Sequence, residues 1–203
     1  MTSIRRLLAG GSDGNARLTA AVGVVLTVLL VLEGLTLLGG VRRLLTPHVF
    51  IGLLLIPPIL LKLASTGWRM ASYYRRVDEY VRRGPPQALL RMLVAPVLVV
   101  STVVLFASGI AAAWLGDGGI LLGLHKASFV VWGVAFGIHF LAHALKLPRL
   151  VALDWWRRDT LGGRRLRQWL LAAALVAGLV VAVAGLPLAH HWHGGFELSS
   201  DDR

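Results

Sequence analysis

The chain contains no cysteine, which excludes disulfides, thiolate metal centres and the covalent attachment of a c-type haem. Charge is scarce as well: Asp, Glu, Lys and Arg make up 15% of the residues, against ~25% in soluble domains. Only 10 residues are acidic while 21 are basic. No glycine-rich phosphate loop, nucleophile triad or paired-carboxylate pattern occurs, so phosphoryl-transfer and hydrolytic chemistries have no recognisable machinery here. Lysine is the rarer base; Lys62, Lys126 and Lys146 leave 18 of the 21 positive charges to arginine. With abundant Ala, Gly and Val, this bias points to a GC-rich bacterial genome.

What the chain has instead is apolar sequence. Hydrophobic residues form 56% of its 203 positions, the mean hydropathy is +0.71, and the excess is gathered into long runs. Runs of about 20 apolar residues are long enough to cross a bilayer as helices. The expectation is an all-α integral membrane bundle of five helices, spanning 18–38, 47–66, 91–115, 121–147 and 168–188. These spans make a single domain over 18–188, after an N-terminal segment 1–17 and before a histidine-containing tail 189–203. Pro57 and Pro58 fall inside the second span and are expected to kink it, because proline lacks an N–H and crowds the preceding turn. The small residues of Ser108–Trp114 at the end of the third span suit close helix approach.

The net charge of +11 does not signal nucleic acid, because the arginines cluster between the apolar runs. Of the 21 basic residues, 17 lie in segment 1–17 and in the stretches from Lys62 to Arg91 and from Lys146 to Arg167. Only Arg42, Arg43, Lys126 and Arg203 fall on the opposite side. The positive-inside rule then puts the N-terminus in the cytoplasm and the C-terminus outside, in a multi-pass protein of the bacterial inner (plasma) membrane. Trp68, Trp155, Trp156 and Trp169 at one edge and Trp114 and Trp192 at the other match an aromatic belt. Glu33, late in the first span, reads as a partner of Arg42 or Arg43, or else as a proton acceptor near an outer quinone site.

Histidine carries the chemistry. His125, His139 and His143 lie in one apolar run, spaced by fourteen and then four residues. At about 100° per residue all three share a helix face, with His125 about 21 Å above His139. Ionisable side chains at membrane depth are rare and usually functional. His48 opens the second span as His125 opens the fourth, so both sit near the outer face at similar depth. Facing helices supply axial ligands to haem in this way, and His48 with His125 is the expected pair for an outer iron. His139 and His143 mark a second, inner site, but neighbours on one helix cannot embrace an iron axially; one would ligate and the other hold a propionate or a quinone. Lys62, fourteen residues below His48, reads as a lysine snorkelling to the cytoplasmic edge.

From about Leu45 to Leu147, half of the chain, the sequence resembles the bacterial membrane cytochromes b with a haem-binding helical bundle. Examples are the gamma subunits of formate dehydrogenase and the cytochrome b subunits of nickel–iron hydrogenases. The resemblance rests on His48 opening one span, on His125 and His139 fourteen apart in a later one, on the opening at Leu124–Ser128 and on the close at His139–His143. It implies b-type haem and electron passage between the quinone pool and a partner protein, as an electron-transfer subunit rather than a stand-alone enzyme. In that family the first helix usually supplies a histidine for the inner haem; this first helix has none. Two other readings remain: a scaffold or small transporter using the histidines for packing or proton relay, and metal handling by His190, His191 and His193 in the tail.

Overall fold

In the computed structural model, which describes residues 10–82, 84, 90–116, 118–143 and 162–189, the chain is all-α, with no strand among those residues. The order is α1 (Gly11–Leu38), α2 (Leu45–Tyr74), the short α3 (Asp78–Arg82), a π-helical turn (Leu90–Val94) leading into α4 (Ala95–Leu115), α5 (Ile120–His143) and α6 (Arg164–Ala184). Five helical segments are long and apolar enough to cross a membrane. Their surfaces agree with that setting: Leu141 is 75% exposed, and Val100, Val130 and Val176 each more than 60%. Such apolar surface all around a helix suits lipid rather than water.

Short links force neighbours to run antiparallel. α1 and α2 form one hairpin, α4 and α5 a second, and α6 packs along α2. The α1 N-terminus, the end of α2 and the start of α6 therefore gather at one end, which carries Arg17, Arg69, Arg75, Arg76, Arg164, Arg165 and Arg167. His48 and His125 lie at the other. The core between the hairpins is built from Leu18, Ala21, Val22 and Leu26 of α1, Leu55 of α2 and Leu171 of α6, with Phe106 of α4 packed against them. Ala112 and Ala113 form a smaller cluster with Leu45, Leu121, Leu122 and Leu188, so the small residues near the end of α4 do admit close neighbours.

The helix ends depart from the apolar runs, for physical reasons. α1 starts at Gly11 rather than Leu18, because its first turn is buried: Ser12, Asn15 and Arg17 are each under 10% exposed. Glu79 of α3 accepts a hydrogen bond from the Ser12 N–H at 2.6 Å, placing a carboxylate at the positive end of α1. Gly11 has φ +56°, and a Cβ there would run into the Glu79 carboxylate. Replacing Glu79 with Ala is expected to fray this turn at a cost of about 1 kcal/mol. Faster hydrogen exchange confined to residues 11–14 would register it; unchanged protection there would refute the cap. α2 likewise runs on to Tyr74, two turns beyond its apolar stretch.

Pro57 and Pro58 sit inside α2 without ending it. Pro58 has no N–H to give to the Leu54 carbonyl four residues back. That carbonyl turns toward α6, where a Cβ built on Gly178 would lie 2.5 Å from the Leu54 oxygen. Glycine is thus required where α6 crosses the proline segment.

Candidate functional site

The first side chain is positioned by the α1–α2 hairpin. His48 sits in the first turn of α2, beside Pro47, a residue suited to helix starts because its missing N–H has no intrahelical partner there. Across the six-residue link, the last turns of α1 present Glu33 and Thr36. His48 Nδ1 lies 2.8 Å from Glu33 Oε1 and 3.1 Å from Thr36 Oγ1. The Thr36 hydroxyl donates its own proton to the Glu33 carbonyl at 2.6 Å, so toward His48 it is an acceptor. Both neighbours therefore accept from Nδ1, which must carry the proton. In the neutral ring the lone pair is then on Nε2.

The second is positioned by the α4–α5 hairpin. His125 Nδ1 donates to the Leu105 carbonyl at 2.9 Å, which again leaves Nε2 as the lone-pair nitrogen. The approach depends on Gly109, one turn along α4: a Cβ there would lie 2.8 Å from His125 Cε1 and Nδ1. The His48 and His125 rings stand 6.3 Å apart, centre to centre, at 88°. Each is hydrogen-bonded within its own hairpin, and the helices that carry them, α2 and α5, are not among the extensively packed pairs.

The hydrogen bonds on the two rings are of the kind a ligand pair would need. A metal-binding histidine donates its other ring N–H to a carboxylate or a carbonyl, which fixes the tautomer and strengthens the ligating nitrogen. Here Glu33 and Leu105 occupy those two roles. Two imidazoles bound across one metal at about 2 Å per bond have ring centres roughly 6 Å apart. Among the described residues no group of three or more His, Cys, Asp or Glu side chains is arranged to hold a metal ion. A two-imidazole set is incomplete for tetrahedral zinc, but it suits an iron whose other four ligands come with a macrocycle.

His139 and His143 do not form a facing pair. Their rings stack 4.6 Å apart at 24°, and His143 Nδ1 donates to the His139 carbonyl of its own helix at 2.9 Å. Lys62 is not snorkelling freely: its ammonium donates to the Thr19 carbonyl of α1 at 2.7 Å. Between the two histidine levels α5 carries a ladder of stacked rings. Phe129, Trp132, Phe136 and Phe140 follow one another with centres 6.2, 4.8 and 5.8 Å apart. Trp132 is pinned to α4 by donating to Thr102 Oγ1 at 3.1 Å. The His190, His191 and His193 tail lies outside the described residues, as does the stretch holding Trp155 and Trp156.

Sequence reasoning missed four participants: Glu33 and Thr36 as partners of His48, the Leu105 carbonyl, and Gly109. The Glu33 carboxylate is committed to His48 instead of Arg42 or Arg43. A signal for it existed, since folding α1 onto α2 about the middle of their link sets residue 48 opposite residue 35, within one turn of Glu33. The Leu105 carbonyl has no sequence signature, because every residue has one. Fold and site together define a multi-pass α-helical membrane protein with two neighbouring imidazoles at one end, each hydrogen-bonded at Nδ1 within its own hairpin. The chain matches no known protein family, no curated protein and no solved structure.

Proposed function

We propose that this protein is a membrane-bound b-type cytochrome that passes electrons between the quinone pool and a redox partner protein. On this reading it lies in the bacterial plasma membrane with its arginine-rich end in the cytoplasm, which the positive-inside rule supports. The observation that carries the proposal is the neighbouring pair His48 and His125, with ring centres 6.3 Å apart and each Nδ1 engaged by an acceptor of its own hairpin. These two residues would hold the iron. A haem bound there supplies reversible one-electron exchange between ferric and ferrous iron. The protein's part is to fix both imidazoles in the ligating tautomer, to keep the site at the bundle end among apolar helices, and to set its potential through the Glu33 carboxylate and the Leu105 carbonyl. One haem is proposed per chain, because His139 and His143 have no facing imidazole among the described residues.

Reduced-minus-oxidised spectra of the purified protein decide the matter. An alpha band at the b-type position and one haem per chain by pyridine haemochrome are expected; intact but colourless protein would refute the reading. Replacing Glu33 with Gln keeps an acceptor on Nδ1 but removes the negative charge that makes the imidazole a stronger ligand to ferric iron. Haem is then retained and the midpoint potential rises by on the order of tens of millivolts. A redox titration showing no change, or a fall, would contradict that role. Colourless protein would instead favour a non-redox scaffold, for which His48–Glu33 and His125–Leu105 already provide two interhelical hydrogen bonds.

A further inference from the structure

The arginine-rich end of the bundle holds a second polar cluster that the histidine site does not use. It joins α1 to α2. Asn15 Nδ2 donates to the Ser65 carbonyl at 2.9 Å, and the Thr19 hydroxyl donates to Ser65 Oγ at 2.9 Å. Ser65 Oγ donates in turn to the Lys62 carbonyl at 3.0 Å, and Lys62 Nζ donates to the Thr19 carbonyl at 2.7 Å.

A count of donors and acceptors leaves the cluster unfinished at two places. The Lys62 ammonium has three N–H groups, and the structure shows a partner for one. No carboxylate among the described residues pairs with it. Asn15 is 2% exposed, and its Oδ1 is buried with no hydrogen-bond partner. An unpaired ammonium among apolar helices and an orphaned amide oxygen each cost free energy. A water would satisfy Oδ1 but bring no charge to Lys62. One group that answers both carries negative oxygens for the ammonium and a hydroxyl for the amide.

Depth says where such a group comes from. Lys62 lies seventeen residues after the start of α2, or about 26 Å along the helix axis, while the hydrocarbon core is about 30 Å thick. The ammonium is therefore close to the headgroup level at the arginine-rich end. Lys62 and Thr19 are half-buried and reach the surface there. Arg69 follows on the same helix, Arg75 and Arg76 in the turn just after it, and they favour anionic lipid at that face.

The geometry points to a phospholipid site. The Asn15–Lys62 cluster binds the headgroup of an anionic, hydroxyl-bearing phospholipid of the phosphatidylglycerol kind, the phosphate accepting from Lys62 and the hydroxyl donating to Asn15 Oδ1. The inference is independent of haem binding.

The test is native mass spectrometry of the full chain released from nanodiscs of phosphatidylcholine mixed with phosphatidylglycerol or with phosphatidic acid. Wild type is expected to retain phosphatidylglycerol over phosphatidylcholine by about fivefold, the worth of one lysine at an anionic headgroup. Lys62→Met loses that preference and Lys62→Arg keeps most of it. Asn15→Val abolishes the preference for phosphatidylglycerol over phosphatidic acid, which lacks the headgroup hydroxyl. Equal retention of phosphatidylglycerol and phosphatidylcholine by wild type would overturn the proposal without recourse to any variant. So would a Lys62→Met protein that binds as wild type does. Displacement of the lipid by millimolar inorganic phosphate would overturn the lipid assignment in favour of a free anion.

Discussion

Replacing His125 with alanine is expected to abolish the b-type alpha band while the five-helix fold persists. The ring donates one hydrogen bond, to Leu105, and the same carbonyl also receives the Ser108 hydroxyl at 3.2 Å. Losing the imidazole therefore removes a contact worth about 1 kcal/mol without stranding the carbonyl. On the proposed function, by contrast, the iron would lose one of its two protein ligands. His48→Ala has the same spectral consequence with a larger structural one, because it deprives the Glu33 carboxylate of its partner. Combining it with Glu33→Gln should recover much of the stability and none of the haem. His139→Ala and His143→Ala are expected to keep the outer signal. Spectra and haem counts on proteins matched by circular dichroism check all five, and a full alpha band in both His48→Ala and His125→Ala would refute the ligand pair.

The second large effect concerns the fold. Gly178→Val puts a branched side chain where even a Cβ lies 2.5 Å from the Leu54 oxygen. The obstacle is backbone, and Pro58 has already taken away that carbonyl's helical partner, so no rotamer change relieves the contact. α6 must move off α2, and a loss at the upper end of the 1–3 kcal/mol typical of overpacking is expected, or somewhat more. Gly137 on α5 is the control: nothing lies within 4 Å of a Cβ there, and Gly137→Ala is expected to be neutral or to stabilise by up to about 1 kcal/mol. Thermal unfolding in detergent separates the two. Equal melting of Gly178→Val and wild type would show that the crossing is not tight.

Much of the candidate site was readable because a membrane helix converts sequence position into depth. His48 and His125 open spans that run the same way, so their indices alone set them at one level, and the structure has their rings 6.3 Å apart. The same conversion fails between helices. Nothing in the run from Leu18 to Leu38 says that Glu33 faces α2 rather than the arginines after it. Nothing in Ser108–Trp114 says that the glycine at 109 serves a histidine rather than another helix. Those contacts depend on rotation about the helix axis, which apolar sequence specifies weakly when every face is hydrophobic. Boundaries failed for a related reason: the polar first turn of α1 reads as a tail until Glu79 arrives from a distant helix to cap it.

Composition and run length by themselves determined the class of this protein, five apolar helices with arginines clustered in the segments at one end. In a bilayer the backbone must satisfy its hydrogen bonds within each segment, so a long apolar run has no alternative to helix. Tertiary structure alone decided which polar groups meet: Glu33 and Thr36 on His48, the Leu105 carbonyl on His125, and Thr19 on Lys62. Among lipid chains there is no hydrophobic gain in bringing one apolar face rather than another together. Close packing at glycines and a few interhelical hydrogen bonds select the arrangement, and both are properties of pairs of helices that no single segment contains.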